Sequence, residues 1–372
     1  MKIALVLPGG VDRSGEVRVI PVFLALLERL ARAHEVHVFA LQQESKPDQW
    51  PLRGATVHNI GDGWTRVRAL AAIRDEHRRG AFDVVQALFS GACGQVAVVA
   101  ARCLHARGVV HIGGGELVSL PRIGYGGRRN WKGRLREACV LRGAHAVTAA
   151  SMPVVESLLD LGIHARRIPL GVDLRAWPPL APRRRCEAVA RLIHVASLNR
   201  VKDQPTLLHA LAKLKRAGIP FQMDIVGVDT LEGQMQALAT QLGLDANVRF
   251  LGFRTHRELR ELVKAADLLL MSSVHEAGPM VLFEAAVAGV PTVGTAVGHL
   301  VEWSPAAALA VPVGDATALA SGIERLLCNE DLRLHMAGIA QHRAIVEDAD
   351  YTARAFETLY LEVLGPLPAT TG

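Results

Sequence analysis

The sequence is poor in cysteine, has no long apolar run, and lacks both a C-x-x-C pair and a G-x-G-x-x-G fingerprint. The cysteines Cys93, Cys103, Cys139, Cys186 and Cys328 lie far apart along 372 residues. That scatter argues against a zinc site or a disulfide framework and fits a reduced, cytoplasmic chain. No stretch of 18 or more apolar residues occurs, so no segment reads as a spanning helix. The first apolar run, residues 3–7, is too short for a secretory signal and reads as a buried strand. Repeats of 20–50 residues and low-complexity tracts are also missing.

What is present is enough for large cores. Half of the residues are hydrophobic, and the length exceeds what one core usually serves, so two domains are expected. Short apolar runs at 3–7, 35–40, 83–88, 109–112 and 146–149 alternate with amphipathic stretches such as 17–33 and 94–105. A second series runs through 191–196, 222–226, 248–251, 268–271, 292–293 and 309–311. Near-continuous apolar strands separated by helices mean parallel sheets covered on both faces, hence two doubly wound α/β domains. The Pro- and Arg-rich stretch 171–186 reads as a linker. The expected division is therefore 1–170, linker 171–186, 187–346, and a C-terminal helix and tail over 347–372 that packs back across the junction. Residues 1–170 carry 23 Lys and Arg against 14 Asp and Glu, so the positive charge sits on the first half. Such a field suits an anionic partner, although a solvated Arg-rich surface explains it equally.

Chemistry concentrates in residues 272–284, SSVHEAGPMVLFE. A strand ends near Met271, and a helix is expected to start with Pro279 at its first position and stop at Gly289. The helix N-terminus around Gly278, Pro279, Met280 and Val281 offers amides to an anion. Glu276 in the preceding loop can bind sugar hydroxyls, and Glu284 further along can take both hydroxyls of a ribose. These two glutamates, with Glu284-Ala285, Gly289-Val290-Pro291 and 298–302 following in order, resemble the E-x7-E signature of retaining GT-B glycosyltransferases, and the stretch is most similar to glycosyltransferase family 4. The resemblance implies a GT-B fold, two Rossmann-like domains facing across a cleft, with the nucleotide-sugar donor held by the C-terminal half.

Other residues are placed by the same resemblance. Lys202, in 195–208, occupies the family's diphosphate-binding lysine position, where it acts as a point charge. The family's G-R-L triplet reads Ala196-Ser197-Leu198 here, and Arg200 is the candidate for the missing cation. Gly252 and Phe253 match the turn whose backbone faces the donor base. Gly9 and Gly10 match a double-glycine loop facing the donor phosphate, and a flexible strand–helix turn is the alternative. His111 matches a strand-terminal histidine close to the transferred sugar, and a structural histidine at a strand end is the alternative. Glu116 is an acceptor contact or a helix-start carboxylate. The pair Asp348 and Asp350 reads as helix capping rather than a metal motif. No metal and no cofactor are expected, because basic side chains and a helix terminus stand in for them. The implied partners are a nucleotide sugar of UDP or GDP type and a sugar or lipid-linked acceptor. From its composition, the cation-rich stretch 122–142, with Tyr125 and Trp131 interleaved, reads either as a peripheral contact with an anionic membrane surface or as a solvated helix face; nucleic acid is not expected. Two rival readings stay open: a catalytically silent nucleotide-binding protein of the same fold, and a nicotinamide-dependent dehydrogenase, which the failed glycine spacing disfavours.

Overall fold

The computed structural model describes residues 1–365. In chain order the elements begin β1 (Lys2–Leu7), α1 (Pro21–Leu30), β2 (Glu35–Ala40), β3 (Asp48–Leu52), β4 (Ala55–Asn59), α2 (Thr65–Arg79) and β5 (Val84–Leu88). They continue with α3 (Ala92–Leu104), β6 (Arg107–Ile112), α4 (Trp131–Gly143), β7 (Ala146–Ala149), α5 (Met152–Leu159) and β8 (Arg166–Arg167). Then come β9 (Ala190–Val195), α6 (Gln204–Arg216), β10 (Phe221–Val226), α7 (Gln234–Gln241), β11 (Val248–Gly252), α8 (His256–Ala265) and β12 (Leu268–Met271). The chain closes with α9 (Met280–Val287), β13 (Thr292–Thr295), α10 (His299–Trp303), β14 (Ala308–Val311), α11 (Ala316–Cys328), α12 (Glu330–Val346) and α13 (Ala349–Leu364). Two compact units result. One holds Met1–Gly171 with the chain from Ala349 onward, and the other holds Val172–Asp348.

The first unit is built on an eight-stranded sheet in the order β3-β4-β2-β1-β5-β6-β7-β8. All pairings are parallel except β3 with β4. Every residue of β1, KIALVL, is buried, as a central strand covered on both faces requires. The β3–β4 hairpin was not visible in the apolar pattern. Its strands carry Asp48, Gln49 and His58, and β3 is an edge strand that needs only one apolar face. A two-residue turn at Arg53 and Gly54 joins them, both with positive φ, the geometry that matches strand twist in a tight hairpin. Helix α1 starts at Pro21 rather than near 17, because Gly15 and Arg18 have positive φ and residues 11–19 form an antiparallel bridge loop.

Helix α13 belongs to this first unit. It lies against α1 and β6. Arg29 donates from Nε to Asp350 at 2.6 Å, and Thr352 Oγ1 donates to the Pro169 carbonyl at 2.7 Å. The Tyr360 hydroxyl meets Gln86 Oε1 in the core. Asp350 thus serves an ion pair with a buried arginine. Residues 366–372 of the expected C-terminal segment lie outside the described residues.

The second unit has a six-stranded, wholly parallel sheet in the order β11-β10-β9-β12-β13-β14. Strand β12, LLLM, shows why. Leu268 and Leu270 enter the core beneath α6 and α11, whereas Leu269 and Met271 enter the opposite core with Phe283 and Ala340. The segment read as a linker is not free chain. Trp177 is buried in the second core, Leu180 N–H bonds the Val287 carbonyl, and Arg185 N–H bonds Glu330. Pro and Arg composition signalled irregular backbone correctly, but irregular backbone can still be strapped to a surface by its carbonyls and cations.

Candidate active site

In the second unit the strand order reverses between β9 and β12. Open parallel sheets bind ligands at the carboxyl ends of such strands, because the two crossovers diverge there and leave a crevice. Lys202 follows β9, and Ser273 and Glu276 follow β12. A cavity of about 320 Å³ lies there, walled by His194, Lys202, Ser273, Glu276, residues 278–281 and Glu284 among others.

Lys202 Nζ pairs with Glu276 Oε1 at 2.5 Å, and Ser273 Oγ donates to the same oxygen at 2.6 Å. Two backbone links lock these loops together. Ser272 Oγ donates to the Lys202 carbonyl at 2.7 Å, and Val274 N–H donates to the Val201 carbonyl at 2.8 Å. Gly298 has φ +51°, and a Cβ there would sit 3.0 Å from the Glu276 carbonyl, so only glycine lets that loop press against the Glu276 turn. Helix α9 begins at Met280 with Pro279 at its cap, one residue later than expected, and ends before Gly289 at φ +74°. His194 is fully buried; its Nδ1–H donates to the Leu270 carbonyl, and Nε2 accepts from Gln204. Burial pushes its pKa down to about 4, so it stays a neutral part of the wall.

Glu284 is held in a setting the sequence did not reveal. Its Oε1 lies 3.1 Å from His256 Nε2, and the Trp177 indole N–H donates to that same nitrogen at 2.6 Å. A signal for His256 existed. Thr255-His256-Arg257-Glu258 is a capping box, with the Thr255 and Glu258 side chains each bonding the other's backbone N–H, so His256 opens α8. Trp177 was hidden in the apparent linker.

The structure brings together Lys202, Glu276, Gly278, Pro279, Met280, Val281 and Glu284. Arg200, Gly252 and Phe253 are exposed and do not wall this cavity. In the first unit, Gly10 has φ +81° and a Cβ would meet Ile20 at 2.7 Å. The amides of Gly10 and Val11 both donate to Gln43 Oε1, at 2.7 and 3.0 Å, so these N–H groups are engaged within the loop. His111 is enclosed in the core of the first unit. It lies inside β6 with no solvent exposure, its Nδ1 within 3.0 Å of Thr148 Oγ1 and its ring edge-on to Phe356. Burial drives its pKa down to about 3. Its Nε2 has no hydrogen-bond partner among the described residues, and the strand runs on to Ile112 before opening into the glycine loop.

Glu116, in that loop, accepts from Gly114 N–H at 2.7 Å and Ser90 N–H at 3.3 Å. Burial, with Glu137 nearby, raises its pKa to about 7. A carboxyl whose folded pKa lies above the unfolded value stabilises most at low pH, and that contribution is lost as pH rises from about 4.5 towards 7. Glu116→Gln should therefore melt at higher temperature relative to wild type at pH 8 than at pH 5. Equal differences at the two pH values would remove the buried-carboxyl account.

Residues 187–343 match the family description Glycosyl transferases group 1, and residues 21–176 match Glycosyltransferase Family 4. The two spans take in most of the chain. It belongs to the GT4-type glycosyltransferases. The amylovoran biosynthesis glycosyltransferase AmsK of Erwinia amylovora is 31% identical over 145 residues, 37% of this chain and 35% of that protein. The chain thus spans less than half the length of the curated relatives it matches. Sucrose-phosphate synthase of Thermosynechococcus elongatus has a TM-score of 0.82 at 19% identity, covering 97% of this chain and 98% of that one. The Anabaena Alr3699/HepE complex with UDP-glucose has a TM-score of 0.75 at 20% identity, covering 96% and 99%. At these identities the likeness establishes the GT-B fold.

Proposed function

We propose that this chain is a retaining glycosyltransferase that moves a sugar from a UDP- or GDP-type donor to an acceptor hydroxyl. The observation that carries the reading is the cavity at the β9/β12 switch point, where Lys202, the start of α9 and two glutamates converge. A diphosphate seated at the first turn of α9 meets that helix's amides and the Lys202 ammonium, which offset charge developing on the leaving group. Arg200, exposed in the same turn as Lys202, is available to the outer phosphate oxygens. These groups take the role a divalent ion would otherwise play. Glu276 orients hydroxyls of the donor sugar, and Glu284 accepts from the ribose. The Alr3699/HepE relative in fold binds UDP-glucose, which makes uridine the first base to test.

For the acceptor, support comes from the first unit. On α4, Trp131 and Leu135 are 65% and 57% exposed, flanked by exposed Lys132, Arg134 and Arg136. An apolar ridge bordered by cations suits the headgroup layer of an anionic membrane, and hence a lipid-linked acceptor in cell-surface polysaccharide or glycolipid assembly on the cytoplasmic face. Among the described residues no helix is long and apolar enough to cross a membrane.

Thermal melting with UDP, GDP, ADP, dTDP and NAD⁺ tests the donor site. A nucleoside diphosphate at 100 times its dissociation constant adds about 2.7 kcal/mol to wild type. Glu284→Ala is expected to lose most of that gain at the same concentration. Stabilisation by NAD⁺ alone, or an undiminished gain in the variant, would overturn the assignment.

A further inference from the structure

Trp64, at the cap of α2, is 84% exposed, more than any other large apolar side chain among the described residues. Its backbone is left-handed, at φ +50°, a region that bulky residues avoid. The turn around it is anchored. Asp62 N–H donates to the Ser45 carbonyl at 2.8 Å, Thr65 Oγ1 to the Gly61 carbonyl at 3.3 Å, and Arg68 Nη1 to the Asp62 carbonyl at 2.8 Å. A Cβ on Gly61 would sit 2.6 Å from that Ser45 oxygen, so glycine alone lets the turn press down there. Val67, three residues on and 59% exposed, shares the indole's side of the first turn. Apolar surface held in water at a strained, anchored position calls for a partner.

Charge and topology indicate which one. Arg66 and Arg68 flank the pair and are exposed, with Asp62 the one acidic residue in the turn 61–68. Strands β4, β5 and β6 run parallel within one sheet, so α2, α3 and α4, which follow them, head back from its carboxyl edge. Helix α3 packs against both α2 and α4. The starts of α2 and α4 therefore stand at the same edge with α3 between them. One carries Trp64 and Val67, and the other carries Trp131 and Leu135 beside exposed Lys132, Arg134 and Arg136. A sugar ring stacked on Trp64 would need no second ridge, whereas a broad anionic plane meets both.

We propose that the turn 61–68 is a second membrane contact, in which Trp64 and Val67 enter the headgroup layer of an anionic bilayer and Arg66 and Arg68 meet lipid phosphates. Two separated contacts restrict the tilt of the first unit on the surface, which the α4 ridge alone leaves freer. The proposal rests on the membrane reading of α4, and the experiment separates the two.

The test is co-sedimentation of wild type, Trp64→Asn and Trp131→Ala with vesicles of mixed phosphatidylglycerol and phosphatidylcholine, and with phosphatidylcholine vesicles alone. Asparagine tolerates the left-handed conformation, so the turn is kept while the indole is lost. Trp64→Asn should weaken partition into the anionic vesicles by roughly 10-fold, and Trp131→Ala by a similar factor. Trp131→Phe gives a direct readout of the other indole. Trp50, Trp177 and Trp303 are 5%, 1% and 0% exposed, so in that variant Trp64 is the one exposed tryptophan. Its emission should shift to the blue on anionic vesicles and be quenched by brominated lipid. Wild-type partition of Trp64→Asn and unshifted emission in Trp131→Phe, alongside weakened partition of Trp131→Ala, would overturn the second contact and spare the α4 reading. Failure of wild type to bind anionic vesicles would overturn both. A wild-type dimer in analytical ultracentrifugation that Trp64→Asn abolishes would assign the indole to a second copy of this chain and overturn the proposal. Should Trp64→Asn not fold by circular dichroism, the Trp131→Phe emission carries the decision.

Discussion

Lys202→Ala lowers kcat by roughly 10²- to 10³-fold, the range seen when one preorganised charge-stabilising group is removed from a transition state. The ammonium lies at the cavity wall, 24% exposed, against a Glu276 carboxylate that is 12% exposed. In that partly dry setting its charge counts more than it would in water. On the proposed function, the leaving nucleotide gains negative charge as the sugar bond breaks, so the interaction with Lys202 strengthens towards the transition state. Loss should therefore appear in kcat as well as in kcat/KM, rather than in KM alone. A second effect adds to it: without its partner, Glu276 keeps only the Ser273 hydroxyl and its carboxylate drifts from the sugar. Lys202→Arg should recover part of the rate, because charge is kept while reach and geometry change. Single-turnover rates of donor consumption with a panel of sugar nucleotides make the measurement. A Lys202→Ala rate within threefold of wild type would rule the lysine out of leaving-group stabilisation.

Phe356→Ala costs about 3–5 kcal/mol, the usual range for deleting a fully buried aromatic ring. Phe356 is 0% exposed, edge-on to His111 and stacked near Tyr360, so it fills the space between α13 and the first sheet. The cavity left behind borders the rings of His111 and Tyr360, each fixed by a hydrogen bond of its own and with little means of collapsing onto it. The first unit should melt roughly 6–20 °C lower, at about 2–4 °C per kcal/mol for a body of this size. The second unit does not contain α13 and should keep its own transition. Differential scanning calorimetry resolves the two. A shift under about 2 °C would mean that α13 contributes little to the first unit.

The strand pattern, the switch-point loop and the pair Glu276 and Glu284 were legible because each is a local signal. Apolar runs such as 268–271, set among helical patterns, read as covered strands, and glycine at 289 marks a helix end at that spacing. What escaped notice was set by distant partners. The β3–β4 hairpin pairs polar residues across an edge, so its apolar alternation was too short to register. His111 is polar in sequence and buried in the fold, because Thr148 on the neighbouring strand supplies a hydrogen-bond partner that no spacing announces. His256 and Trp177 are 79 residues apart and become neighbours only when α8 and the strap from 172 onward fold onto the same core.

By itself, then, the sequence determined the class of fold and the glycosyltransferase family, since hydrophobic period, helix punctuation and the E-x7-E spacing act over one or two elements. Tertiary structure decided which polar residues line the cavity and which are enclosed, because burial is a property of several elements packed together. It also decided that α13 completes the first unit, through contacts with residues more than 180 positions earlier, such as Thr352 with Pro169.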